Sequence, residues 1–155
     1  MNRRKLAPAN IVILASGAIM LLASFLAFYR YPGLALAPDG TIVRSGSTSR
    51  NAWDHYLFLI ATLPALLGAV MALQIGLEAF GNITMPNRIL GLTWDQFHVV
   101  LAFQAALLML TRLLQARPPL VTYGTGFWML FAGSLALVIG ALMRIAVSRR
   151  RPRAI

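Results

Sequence analysis

The sequence predicts an all-α membrane protein: a four-helix transmembrane bundle, up-down-up-down, with a small β-hairpin in the first outer loop. Three observations predict it. Hydrophobic residues make up 59% of the 155-residue chain and charged residues 12%, against about 45–50% and about 25% in an average soluble domain. Four apolar segments, at about 10–29, 54–80, 95–114 and 123–146, offer the roughly 20 helical residues needed to cross the hydrocarbon layer. The basic residues lie between and beyond these segments, where they set topology, instead of forming a separate basic domain.

The first segment follows Arg3, Arg4 and Lys5. Its apolar run outlasts the roughly 7–15 residues of a secretory signal core. The small-residue triplet Ala35-Leu36-Ala37 is followed by Pro38, a poor residue just after a cleavage site, so the segment reads as a retained anchor. Loop 30–52 is the one sizeable soluble element. In it Leu34-Ala35-Leu36-Ala37 and Thr41-Ile42-Val43-Arg44 flank Pro38-Asp39-Gly40. Pro and Asp favour a turn there and Gly accepts a positive φ, which predicts a hairpin. Ser45-Gly46-Ser47-Thr48-Ser49 reads as a flexible return.

The second segment contains Pro64, which removes a helical hydrogen bond and predicts a static kink. The inner loop 81–93 contains Pro86 and Gly91. Its Asn82-Ile83-Thr84 sequon falls on the cytoplasmic side and reads as chance. The second and third segments open alike, Ala52-Trp53-Asp54-His55-Tyr56 and Thr93-Trp94-Asp95-Gln96-Phe97. Interfacial Trp and an acid in the first turn explain the echo as anchoring, and Thr93 with Gln96 fits a capping box. The two copies fall on opposite faces of the bilayer.

Orientation follows from the fourteen lysines and arginines. Nine of them (Arg3, Arg4, Lys5, Arg88, Arg144, Arg149, Arg150, Arg151 and Arg153) share the side of the termini. Five (Arg30, Arg44, Arg50, Arg112 and Arg117) lie opposite. The positive-inside rule then puts both termini in the cytoplasm of a cell membrane. The tail Arg149-Arg150-Arg151-Pro152-Arg153 reads as a stop signal in contact with anionic headgroups. Nucleic acid is not an expected partner, because no basic soluble domain is present.

Helices approach closely in lipid where small residues line them. Gly68, Ala72 and Gly76 on the second helix, Ala132, Ala136 and Gly140 on the fourth, and Ala23 with Ala27 on the first are the expected packing stripes. Polar groups inside a bilayer each need a reason. Gln74, Glu78, Asp95, His98 and Arg144 form a candidate inner cluster. Gln74 shares a helix face with Glu78 and Asp95 with His98, while Arg144 continues the small-residue stripe of its helix. Arg30, Asp54, His55 and Arg112, with Arg117, form a candidate outer cluster in which Arg112 reaches outer water or Asp54. Both clusters read first as structural ion pairs.

Cofactor chemistry finds no footing. There are no cysteines, which removes thiolate metal sites and thiol nucleophiles. His55 and His98 lie about 25–30 Å apart across the bilayer, too far for one bis-histidine haem. No zinc-binding His pair, serine elbow or mid-membrane acid is present. No cofactor, no metal and no catalytic residue are expected, and the chain is expected not to be an enzyme.

Four motifs carry a resemblance: Ser24-Phe25-Leu26 ending the first segment, Asn51-Ala52-Trp53 in the loop, the Trp94-Asp95-Gln96 opening, and Gly126-Phe127-Trp128 leading into a helix that ends in arginine. The chain resembles a family of small four-span actinobacterial integral membrane proteins of unassigned function. Members often carry Pro-Trp-Tyr after the first helix, where this sequence has Ala27-Phe28-Tyr29. The resemblance implies topology and supplies no catalytic residues. The expected role is a non-catalytic membrane subunit or scaffold that packs against itself or a larger membrane complex. The alternative is a small oligomeric channel or transporter lined by Gln74, Glu78, His98 and Gln104. A third is a lipid-active enzyme using Glu78 or Asp95 with His98.

Overall fold

A computed structural model of the chain describes residues 7–81, 91–116 and 120–149, without the side chains of His55 and Arg149. The sequon, Pro86, Arg88, Arg117, the Arg3-Arg4-Lys5 start and the tail beyond Arg149 lie outside the described residues.

The chain is mostly helical, with one small sheet. The first helix, α1, spans Pro8–Ala23. It opens on proline, whose missing N–H costs nothing at a helix start and whose fixed φ suits one. It ends earlier than the apolar run from 10 to 29 predicts. Phe28 N donates to Arg50 O at 2.8 Å, and Tyr29 already belongs to strand β1, Tyr29–Leu36. An aromatic run is apolar in either conformation, so hydropathy does not mark the switch. Pairing with a returning strand does. At 16 residues, α1 is about 24 Å long, short of the roughly 30 Å hydrocarbon layer. Three helical stretches are long and apolar enough to cross a membrane: Phe58–Phe80, Trp94–Leu114 and Thr125–Ser148.

The hairpin forms where Pro38-Asp39-Gly40 predicts it. β1 pairs antiparallel with β2, Ile42–Arg50, with Leu36 opposite Ile42 and Tyr29 opposite Arg50. Gly40 takes φ 82°. Asp39 Oδ1 accepts from Thr41 N at 3.0 Å and from Thr41 Oγ1 at 2.6 Å. A bulge separates Pro32 from Leu34. Gly33 fills it because any Cβ there would strike the Ser45 carbonyl oxygen. Residues 45–49 are not a loose return but the body of β2, with Ser47, Thr48 and Ser49 opposite Pro32, Tyr31 and Arg30. The partner strand outweighs the weak β-propensity of Ser and Gly. A third strand, β3 (Thr122–Tyr123), pairs with Tyr29 and Arg30, giving the order β2-β1-β3.

The second apolar segment changes helical type along its length. His55–Leu57 is a 3₁₀ turn, Phe58–Thr62 is π-helical, and α2 proper runs Leu63–Phe80. The expected break at Pro64 is therefore absorbed by a π turn just before it. A widened turn of this kind accommodates a residue that lacks its N–H. Helix α3 is Trp94–Leu114 and opens on the predicted Thr93/Gln96 capping box. Helix α4 is Thr125–Arg149.

The four helices form an antiparallel ring in which α1 packs on α2 and α4, and α3 packs on the same two. Ile13, Met20, Met71, Ile75, Met109, Leu130 and Leu137 fill its core. Leu22, Val70, Leu73, Val100, Leu107, Ile139 and other large apolar residues face outward. The sheet and both tryptophan–aspartate openings sit at the ends of the bundle, so Trp53-Asp54 and Trp94-Asp95 lie at opposite ends, as the sequence predicts.

Candidate functional site: the polar end of the bundle

The polar residues gather where α2 ends, α3 begins and α4 ends. Arg144 is the hub. Its Nε donates to Asp95 Oδ1 at 2.8 Å, and its Nη2 lies 4.0 Å from Glu78 Oε2. On α2, Gln74 Nε2 donates to Glu78 Oε1 one turn away. One guanidinium from α4 thus reaches carboxylates on α2 and α3. His98 follows Asp95 by one turn on α3 and is 1% exposed, with its ring 6.2 Å from that of Trp94. Gln74 is 5% exposed. The structure therefore brings together all five residues of the predicted inner cluster.

Not every polar atom in this cluster is satisfied. Gln74 Oε1, both ring nitrogens of His98 and Arg144 Nη1 are buried without a hydrogen-bond partner. Among the described residues these are the only buried side-chain nitrogen or oxygen atoms in that state. A cavity of about 310 Å³ opens beside Arg144 and Asp95, lined also by Ala7, Pro8 and Asn10 of the α1 start and by Ser148. Gln104 does not join the cluster. It is exposed on the outside of α3, apart from Gln74, Glu78 and His98.

The predicted outer cluster is rearranged. Asp54 caps the turn that follows it by accepting from Tyr56 N, and it pairs with Arg50 at 2.9 Å. Arg50 also lies 5.8 Å from each ring of Tyr31 and Tyr56. Arg112 turns to the sheet. Its Nε donates to the Tyr29 hydroxyl, its guanidinium carbon sits 4.9 Å from the Tyr29 ring centroid, and its carbonyl accepts from Tyr123 Oη at 2.7 Å. Arg30 is exposed on β1. The side chain of His55 lies outside the described residues. This Tyr29–Arg112–Tyr123 latch was missed because it depends on β3, a two-residue strand with no pattern of its own.

The packing stripe holds on α2 and is displaced on α4, and Ala27 of the stripe expected on α1 lies beyond that helix, which ends at Ala23. Gly68 is buried beneath Met20 and Leu137 and lies 3.5 Å from Gly17 Cα for a Cβ built on it. A Cβ on Gly17 would strike the Gly68 carbonyl and come within 2.7 Å of Ala72 Cβ. Gly76 is looser, with Leu14 Cδ2 at 3.9 Å as its nearest neighbour. On α4 the tight positions are Gly126, Gly133 and Gly140, all facing α1 or the turn after it. Ala132 is exposed and Ala136 half-buried. They edge a shallow groove of about 400 Å³ with Val12, Ala15, Ser16 and Ile19 of α1. Gly140 of the predicted stripe holds, but its four-residue spacing does not. The buried contact recurs every seven residues, as left-handed packing of neighbouring helices favours.

Among the described residues no three His, Asp or Glu side chains are grouped to hold a metal ion. The chain matches no family model, and neither a curated protein nor a solved structure matches it.

Proposed function

We propose that the protein is a non-catalytic integral membrane subunit or scaffold, in which α1 completes a fourth span and both termini face the cytoplasm. The groove between α1 and α4 carries this reading. It has small residues, Ala15, Ala132 and Ala136, on the outward side of the bundle. Lipid tails provide no hydrophobic drive between helices, so association depends on small residues that permit close van der Waals approach. A helix of a second copy or of another membrane protein fits such a groove. The exposed Leu, Val, Ile and Phe side chains around the rest of the ring face lipid, and the basic ends contact anionic headgroups. The charged side chains of the polar end pair with one another, as anchoring requires.

Native mass spectrometry of the tagged protein, extracted gently from its own membrane, tests the reading. Stoichiometric co-purification of another chain, or a homo-oligomer, supports it. In either case the complex is expected to fall apart when Ala132→Leu and Ala136→Leu fill the groove. A monomer that stays alone at every detergent condition, with no change on filling the groove, would count against it.

A further inference from the structure

We propose that the β1–β2 hairpin lies along the lipid surface of the outer leaflet, with Leu34, Leu36 and Ile42 sunk among the headgroups and Arg30 and Arg44 on lipid phosphates. The inference rests on the membrane placement in the reading above and not on its α1–α4 groove.

The register of the hairpin carries it. Successive residues of a strand point to opposite faces, and directly opposed residues of an antiparallel pair share one. Arg30, Leu34 and Leu36 therefore share a face of β1, with Arg44 opposite Leu34 and Ile42 opposite Leu36. That face is bare. Leu34 is 56%, Leu36 75% and Ile42 71% exposed, and both arginines are exposed. The other face turns toward the protein at its base. Tyr29 is buried there, and Tyr31 lines a cavity of about 450 Å³ with Thr48, Arg50 and Asp54. Beyond the base the two strands pack chiefly on each other. A lone two-stranded hairpin is marginally stable in water, and a cluster of exposed large apolar side chains marks a contact surface.

Two observations say what covers the face. The first is its level. Where the hairpin leaves the bundle, Trp53 and Phe25 are both exposed and stack 5.6 Å apart, and Trp53 Nε1 donates to Ser24 Oγ at 2.9 Å. Exposed aromatics with a polar handle belong to the membrane–water boundary. Phe28 N donates to Arg50 O and Ala52 N to Ser24 O, which ties the base of the hairpin to that same level. The second is charge. Arginines beside apolar side chains suit phosphates above acyl chains. Among the described residues neither Arg30 nor Arg44 has an ion pair. The one carboxylate between residues 29 and 50 is Asp39, in the turn and held by Thr41. A flat hairpin keeps Asp39 in the headgroup layer, whereas entry tip-first would drive it into hydrocarbon. A strand of a second copy fits the free edge of β2 poorly. The bulge breaks the hairpin's pairing, and β2 carries Arg44 and Arg50, devices that discourage edge-to-edge pairing.

The chain has no cysteine, so one introduced residue carries a spin label cleanly. Leu36→Cys, Ile42→Cys, Val43→Cys and Leu107→Cys are each labelled in the full chain. The nanodiscs contain phosphatidylcholine and phosphatidylglycerol. Relaxation by oxygen, which concentrates in lipid, is compared with relaxation by a water-soluble nickel chelate. Labels at 36 and 42 are expected to favour oxygen several-fold more than the label at 43, which is on the opposite face. Omitting phosphatidylglycerol, or combining Arg30→Gln with Arg44→Gln, should move 36 and 42 toward the chelate. No response to either change would overturn the phosphate contacts. Labels at 36 and 42 that meet the chelate as freely as 43 would overturn the proposal. So would labels shielded from both reagents, because a protein surface would then cover the face. Leu107, exposed on α3, reports the membrane placement itself and is expected to favour oxygen. A Leu107 label that favours the chelate would overturn that placement and this inference with it. Oxygen at 107 with chelate at 36 and 42 would sink the hairpin inference alone.

Discussion

Arg144 Nε lies 2.8 Å from Asp95 Oδ1, and this one bond joins the end of α4 to the first turn of α3. The two side chains are 16% and 25% exposed, and Glu78 approaches the same guanidinium from α2. Removing the cation would leave the partly exposed carboxylates of Asp95 and Glu78 without their shared partner. Losing one partner of a buried pair costs about 3–5 kcal/mol, and exposed pairs contribute about 0–1. For this half-shielded cluster Arg144→Leu is expected to cost about 1–3 kcal/mol in unfolding measured in detergent. Asp95→Asn combined with Arg144→Leu should cost less than the sum of the two alone, with a coupling of at least about 0.5 kcal/mol. Additive effects would mean that the bond does no structural work.

Gly17 and Gly76 make a matched pair for testing how α1 and α2 touch. A Cβ on Gly17 would strike the Gly68 carbonyl, which is backbone and has nowhere to go, whereas Gly76 has room out to 3.9 Å. Gly17→Val is expected to push the helices apart at a cost of about 1–3 kcal/mol or more, as overpacked cores do. Gly76→Ala should be neutral or slightly stabilising. Thermal unfolding of the two variants side by side decides the matter. Equal stabilities would show that the two helices do not meet at Gly17.

How much of this could be read from the sequence depended on whether a signal was local. The α2–α4 helices are long apolar runs, and Thr93 with Gln96 announces the start of α3 through a contact three residues long. The turn at Asp39-Gly40 is equally local. The end of α1 was not legible, because residues 25–29 are apolar as helix or as strand, and the strand wins through partners about twenty residues away. Gly17 was overlooked because its partner stripe had been read on α2 alone. The spacing of the α4 stripe was not legible for a related reason: Ala132-Ala136-Gly140 and Gly126-Gly133-Gly140 are both small-residue repeats, and only the neighbouring helix chooses between them. The five residues of the polar end were legible because costly groups in an apolar chain must find one another. Their unsatisfied atoms were not, since hydrogen-bond geometry has no sequence pattern.

Asp39 gives a pH prediction outside the helices. Hydrogen bonds from the Thr41 hydroxyl and then the Thr41 amide hold its carboxyl below the usual value of 3.8. Because the folded value is depressed, the ionised carboxylate favours the turn at and above the ordinary carboxylate range. That contribution fades as pH falls through the lower folded value. Thr41→Val removes the hydroxyl, so Asp39 should titrate closer to its ordinary value, followed by carbon NMR of the side chain. A titration curve unchanged in Thr41→Val would show that the hydroxyl does not hold the carboxylate.

The latch at the other end of the bundle predicts a graded series at Tyr29. This side chain is 2% exposed, stacks 5.7 Å from the Tyr123 ring and meets Phe28 edge-on at 4.9 Å. Its hydroxyl accepts from Arg112 and its face lies beneath the same guanidinium. Tyr29→Phe keeps the rings and the cation–π contact and deletes only the acceptor. A hydrogen bond to a charged group is worth about 1.5–3 kcal/mol, and Arg112 is half-exposed and can turn to water, so about 1 kcal/mol is expected. Tyr29→Leu also removes the ring contacts, each worth about 0.5–1.5 kcal/mol, and should cost about 2–4 kcal/mol in all. Hydrogen exchange separates this from a general loss of stability. The amides of β3 and of the last turn of α3 should lose protection in Tyr29→Phe, while those around Asp95, at the far end of the same helix, should not. Uniform loss along α3 would mean that Tyr29 supports the whole bundle and is not a latch between the sheet and one helix end.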